Sequence, residues 1–198
     1  MAGAFLVGAG MVGCDGANAD PEPEPPTTQP EEPETPDSEQ TAAEPEGGEQ
    51  GPQDYAHPQP GPEIEDDGQA GAEAAAVYFV ELFSYIHATG DFEAWDELTT
   101  ENCNFCRGVR EQVSGMYADG GYASAQPPVV DSVFPHVWDR IPGDYSVEVV
   151  FLSPELVTFD SDGEVIERFH ESRTRAWFVV EHRDDGWVVV GADGGDLQ

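Results

Sequence analysis

The sequence predicts an α+β domain: about three N-terminal helices packed on one face of a curved antiparallel sheet, preceded by a disordered tether. Three observations lead there. From about residue 70 aromatics appear and proline thins, leaving a length that buries one core in a chain of 198 residues. The first part of that stretch carries apolar residues at helical spacing. The rest is a series of short β-rich runs separated by turn residues. Helices first and a meander of strands afterwards define a layered α+β arrangement.

Each element has its own signal. Residues 72–89 place Ala76, Phe79, Val80, Phe83, Ile86 and His87 on one helical face, and Tyr78, Leu82 and Tyr85 widen it. A stripe that wide predicts burial on more than one side. Gly90 is the stop signal. Residues 92–98 read as a short second helix with Asp91 as N-cap, and Asn102 as the cap of a third over 103–118. Asp119-Gly120-Gly121 ends it. A strand at 129–137 contains Pro135, which points to an edge or a bulge. Residues 145–152 are β-branched and aromatic. Strands 156–159 and 164–169 flank the turn Asp160-Ser161-Asp162-Gly163. Along 173–181 one face carries Thr174, Ala176, Phe178 and Val180, the other Arg173, Arg175, Trp177, Val179 and Glu181. Asp184-Asp185-Gly186 then turns the chain into a last strand, 187–190.

The N-terminal side has a different organisation. The apolar run 2–12 is too short to span a bilayer, which takes about 20 residues, and fits the roughly 7–15 of a secretory signal core. Met11-Val12-Gly13-Cys14 resembles the lipobox of bacterial lipoproteins. That resemblance implies cleavage before Cys14, a diacylglyceryl group on its sulfur, and anchoring at the extracytoplasmic face of the cell membrane. No Lys or Arg precedes Arg107, so the basic n-region of such a signal would lie upstream of Met1. Residues 15–70 are dominated by Pro, Glu, Asp, Gln, Thr, Ala and Gly, with Tyr55 the only aromatic and Ile64 the only large aliphatic residue. Such a segment buries too little apolar surface to offset its ordering entropy. It reads as a spacer reaching between about 40 Å as a coil and about 170 Å fully extended. The expected organisation is therefore a signal peptide at 1–14, a tether at 15–70 and the domain at 71–198.

The formal net charge is −34, and all seven cationic residues are Arg. A cationic surface is needed to displace the counterions of nucleic acid, so this balance argues against nucleic-acid partners. It argues equally against flat adhesion to anionic lipid.

The order of elements resembles the NTF2-like (SnoaL-like) α+β cone, and Arg183-Asp184-Asp185-Gly186-Trp187-Val188-Val189-Val190 is similar to the closing hairpin of that superfamily. More narrowly, Tyr85-Ile86-His87-Ala88-Thr89-Gly90-Asp91 and Cys103-Asn104-Phe105-Cys106 resemble uncharacterised actinobacterial lipoproteins with one such domain. The resemblance covers about 72–192 and implies no activity. The superfamily implies a homodimer formed through the sheet.

Cys103 and Cys106 form the best chemical motif. Lipidation of Cys14 would leave them as an even pair, and an i, i+3 spacing in a helical turn suits a disulfide. An oxidising compartment preserves such a bond. The alternative is a redox site, because a helix N-terminus and nearby Arg107 and Arg110 lower thiol pKa. Two thiols alone lack a second ligand pair for zinc. His57, His87, His136, His170 and His182 show no metal spacing and read as surface or core residues. Asp160-Ser161-Asp162-Gly163 lacks the later ligands of a calcium loop and reads as a turn. Tyr78, Tyr117, Asp131 and His136 are candidate acid or base groups inside a cone, and Phe79, Phe83, Phe151, Trp177 and Phe178 either line a pocket or fill a core.

The expected function is a non-catalytic, lipid-anchored domain that binds a small apolar ligand or an envelope protein, with no cofactor. The alternative is a SnoaL-like acid–base enzyme or a Cys-x-x-Cys thiol oxidoreductase. A buried Asp or His opening into a pocket would favour the acid–base enzyme.

Overall fold

The computed structural model describes residues 55–137 and 144–197. The apolar run 2–12, Cys14 and the acidic tract to residue 54 lie outside the described residues. Helix α1, Gln69–Thr89, touches every other principal layer: α2, the small sheet and all four strands of the large one. Its early positions are small, with Gly71, Ala72, Ala75 and Ala76 all buried, and larger ones follow at Phe79, Val80, Leu82 and Ile86. Gly90, in the left-handed region at φ 72°, closes the helix by donating its N–H to Ile86 O. The N-cap position of α2, Glu93–Leu98, is Phe92, one residue after the expected Asp91, although Asp91 Oδ1 still accepts the N–H of Glu93 at 3.1 Å. Helix α3 runs Asn104–Ala118. Its cap is Cys103, whose Sγ accepts the Cys106 N–H at 3.2 Å, and not the expected Asn102. Cys103 N–H bonds back to Thr100 O, so the turn uses Asn102 and the helix begins later.

Among the described residues seven strands follow: β1 Tyr122–Ser124, β2 Val129–Val137, β3 Asp144–Ser153, β4 Leu156–Phe159, β5 Val165–Phe169, β6 Ser172–Arg183 and β7 Gly186–Asp196. All named pairings are antiparallel. The large sheet has the order β2-β3-β6-β7, so the strand holding Pro135 lies at an edge. The β4–β5 hairpin is inserted between β3 and β6 and joins β1 in a three-stranded sheet, β1-β4-β5. Asp160 Oδ1 holds its turn by accepting the N–H groups of Asp162 and Glu164, each at 2.9 Å.

The core lies between α1 and the large sheet, where Val147, Val149, Ala176, Phe178, Val180 and Val189 meet the helix. Trp177 stands on the other face of β6, as the alternation predicts, and is partly exposed. Strand β7 runs well beyond the expected 187–190, pairing Thr174 with Asp196. Gly191, Gly194 and Gly195 look like breakers in sequence. At Gly194 a Cβ would sit 3.0 Å from Arg175 O and 3.1 Å from Ala176, so close approach is what that glycine permits.

Part of the segment expected to be a tether, residues 55–68, lies among the described residues. Residues 55–68 lie against the domain, and the two exceptions in their composition are the cause. Tyr55 and Ile64 both pack on the core cluster. The Tyr55 ring meets that of Tyr85 edge-on at 5.9 Å, and burial, with Glu81 beside it, pushes its phenol up to about 12 against a Ser84 hydrogen bond. A 3-10 turn, Pro62–Glu65, leads to Asp66, whose carbonyl accepts the Trp187 indole N–H at 2.9 Å.

That bond passes over Gly71. A Cβ there would come within 2.4 Å of Trp187 Nε1 and closer still to Asp66 O. Gly→Ala inside a helix ordinarily gains about 1 kcal/mol. Gly71→Ala is expected instead to lose about 1–3 kcal/mol by overpacking, read as a lower urea midpoint. A gain in stability would contradict the packing described.

Candidate functional site

The small residues of α1 seat its first turns near Trp187, at one end of the sheet. Towards the other end the walls part and enclose a cavity of about 800 Å³. One wall is α1, through Phe79, Phe83, Ser84 and His87; a second is α3, through Phe105, Val109 and Gln112. The sheet supplies Phe151, Thr174, Ala176, Phe178 and the 192–196 segment of β7, whose glycines leave the space open. The β4–β5 hairpin contributes Leu156, Arg168 and Phe169 at the mouth.

The interior is aromatic. Phe79 lies 5.1 Å from Phe178 and 6.4 Å from Phe105, and Phe83 stacks with Phe105 at 6.3 Å. Phe105 and Phe169, both lining residues, are 43% and 47% exposed, so apolar surface faces the opening. Of the aromatics expected to line a pocket or fill a core, Phe79, Phe83, Phe151 and Phe178 line the cavity. Trp177 does not.

His87 and Ser84 are the buried polar residues of the α1 wall, and His87 is its ionisable one. It is 6% exposed. Its Nδ1 lies 2.7 Å from Phe83 O, one turn back on α1. A carbonyl only accepts, so Nδ1 carries the proton and the neutral ring presents a lone pair at Nε2. Burial lowers the His87 pKa, outweighing the backbone hydrogen bond to Phe83 that raises it. Its own carbonyl accepts the Tyr117 hydroxyl at 2.9 Å, tying the end of α1 to α3. The rim is polar. Arg168 is paired with Glu155 at 2.6 Å, and His170 Nδ1 lies 3.6 Å from the same carboxylate. Asp196 accepts from Ser172 at 2.8 Å, and Asp193 from the N–H of Gly194.

The acid–base candidates read from sequence stand elsewhere. Tyr78 borders a separate cleft with Glu97, His182, Asp184 and Asp185. Tyr117 bonds the His87 carbonyl, Asp131 pairs with Arg173 at 3.0 Å, and His136 lies 5.4 Å from Trp177 on the far face of the sheet. His87 reads in sequence as one more member of an apolar stripe, and its spacing carries no sign that the sheet recedes beside it. Among the described residues no group of three or more His, Cys, Asp and Glu is placed to hold a metal.

Cys103 and Cys106 are joined by a disulfide with a Cα–Cα distance of 5.2 Å. Both are buried, at 0% and 1% exposure. The two arginines that would lower a thiol pKa are engaged at the surface: Arg110 with Asp96 at 2.6 and 2.7 Å, Arg107 with Asn104 and Glu111. The bond locks the start of α3 and so fixes Phe105, between the two cysteines, on the cavity wall.

A long helix packed on antiparallel sheets, with an aromatic cavity beside it, defines an α+β domain with a preformed cavity. The chain belongs to DUF6318, a family of unknown function that matches it over residues 44–193. No curated protein matches it. Among solved structures it is similar to the intermembrane space region of chloroplast protein ARC6, with 13% identity, a TM-score of 0.49, and 64% of this chain and 95% of that one covered. It is similar also to an uncharacterised protein with a cystatin-like fold from Caulobacter vibrioides (9% identity, TM-score 0.42, 63% and 88% covered). A putative dehydratase of the NTF2-like family from Streptomyces avermitilis is a third (15% identity, TM-score 0.40, 66% and 95% covered).

Two outcomes follow from this geometry. His87 has a lowered pKa in the fold, so below the ordinary histidine value the unfolded chain takes up a proton that the folded chain refuses. Its contribution to stability is present above about pH 6.5 and is lost as pH falls, with a slope of up to about 1.4 kcal/mol per pH unit. His87→Phe is expected to flatten that slope in urea titrations between pH 7 and 5; parallel curves would refute the assignment. The disulfide should resist dithiothreitol in native buffer and open in urea, as read by maleimide labelling. Replacing both cysteines by serine should cost about 2 kcal/mol. Ready reduction of the native protein, with reduction of insulin by it, would establish a redox site instead.

Proposed function

We propose that this chain is a lipid-anchored exported protein whose NTF2-like domain holds a small apolar ligand at the cell envelope. The aromatic cavity of about 800 Å³ carries the reading, since its size and lining suit a drug-sized molecule. The lipobox resemblance at Cys14 supports the anchor, and the acidic tract behind it supports a spacer that holds the domain off the membrane. The buried disulfide supports an oxidising compartment. An envelope protein or a second copy of the chain as partner is supported by the edge strand β5, where Val165, Ile166 and Phe169 are exposed.

His87 favours a second reading, a SnoaL-like acid–base enzyme. Its neutral imidazole, bordering the cavity, is the form a general base takes. In that case a substrate proton would move to Nε2.

The full chain with Cys14→Ser, purified without detergent, is expected to bind the neutral dye 1,6-diphenylhexatriene one to one. Thr174→Phe, which fills the cavity from β6, should weaken that binding about tenfold, equivalent to about 1.4 kcal/mol, with an unchanged circular dichroism spectrum. Equal binding by variant and parent would remove the cavity from the function. Intact mass of the wild-type protein from membranes reads the anchor: cleavage before Cys14 with a diacylglyceryl increment is expected. An unmodified species holding both Met1 and Cys14 would remove it.

A further inference from the structure

Resting on the ligand-binding reading, we propose that the cavity takes a ring compound without a carboxylate, which donates a hydrogen bond from a hydroxyl or amine to Nε2 of His87. Nδ1 is committed to Phe83 O, and Nε2 has no hydrogen-bond partner among the described residues. Among the described residues, the one buried side-chain polar atom that is both sealed and unpartnered is Trp95 Nε1. Nε2 therefore keeps access to a space, and the space His87 borders is the cavity. A buried acceptor left empty costs free energy comparable to a lost hydrogen bond, so a ligand that donates there is favoured over one that does not.

The rest of the wall sets the body of the ligand. The Phe79, Phe83, Phe105 and Phe178 rings meet at 5.1–6.4 Å and offer faces and edges to another ring. The rim sets its charge. Its arginine, Arg168, is taken by Glu155, while Glu171, Asp193 and Asp196 have no ion-pair partner among the described residues. An anion would face these carboxylates outside and a lone pair inside. A neutral or cationic molecule meets neither obstacle.

The probes are 2-naphthol, its methyl ether 2-methoxynaphthalene, and 2-naphthoate, each displacing 1,6-diphenylhexatriene from the full chain with Cys14→Ser. In the parent, 2-naphthol is expected to bind about tenfold more tightly than the ether, with 2-naphthoate weakest. His87→Phe should keep binding the ether and lose the preference. His87→Gln, whose amide oxygen still accepts, should restore part of it and serves if the Phe variant does not fold. Equal affinity of 2-naphthol and the ether in the parent, both displacing the dye, overturns the role of His87 and leaves the cavity a ligand site. Tightest binding by 2-naphthoate overturns the charge assignment. Failure of the dye and all three naphthalenes to bind overturns this inference together with the reading beneath it.

Discussion

The way α1 meets the large sheet constrains everything else in this domain. At its start the helix is built from Gly71, Ala72, Ala75 and Ala76, and the backbone there lies close enough for the Trp187 indole to reach over it to Asp66 O. One turn later the inward positions become Phe79 and Phe83. A helix is a rigid rod over 21 residues, so a tight seat at one end directs where the other end goes. Side-chain size along one helix thus sets a wedge between helix and sheet, and the open end of the wedge is the cavity. Close-packed interiors do not tolerate such a space unless its walls are held apart.

Three devices hold them. Tyr117 ties the last turn of α1 to α3 through the His87 carbonyl. The disulfide fixes the first turn of α3, with Cys103 serving as both cap and crosslink. The β4–β5 hairpin, inserted between two neighbours of the large sheet, brings Leu156 and Phe169 to the opening without adding a strand to the core. The chemistry of the space comes from few residues. An aromatic wall gives shape, and the His87 imidazole, its pKa lowered by burial, is the ionisable group in the α1 wall.

Much of the fold was legible because it is written as periodicity. The stripe of α1, its glycine stop, the Asp160 turn and the two faces of β6 all follow from local rules that tertiary packing reinforces. The cap of α3 was displaced because a cysteine sulfur, held by its disulfide partner, outcompeted the asparagine that intrinsic preference favours. The extension of β7 was hidden because glycine signals a break in isolation and a close approach in context. Tyr55 and Ile64 were visible as exceptions in their tract, but two apolar residues among prolines gain structure only from a surface supplied later in the chain. His87 was hidden for a related reason. Sequence shows which face of a helix is apolar and says nothing of how far away the opposing layer stands. The large aromatics were readable as core or lining alike, and only the tertiary packing decides between them.

The clasp between Asp66 and Trp187 has a mechanical consequence. It joins positions 121 residues apart, and it precedes α1 on the chain. Tension applied from the N-terminal side meets the ring of Tyr55 and then this clasp before it reaches α1, because Tyr55 and Asp66 both lie ahead of the helix on the chain. A protein hauled by one end would thus yield at its leading edge before the walls of its cavity are disturbed.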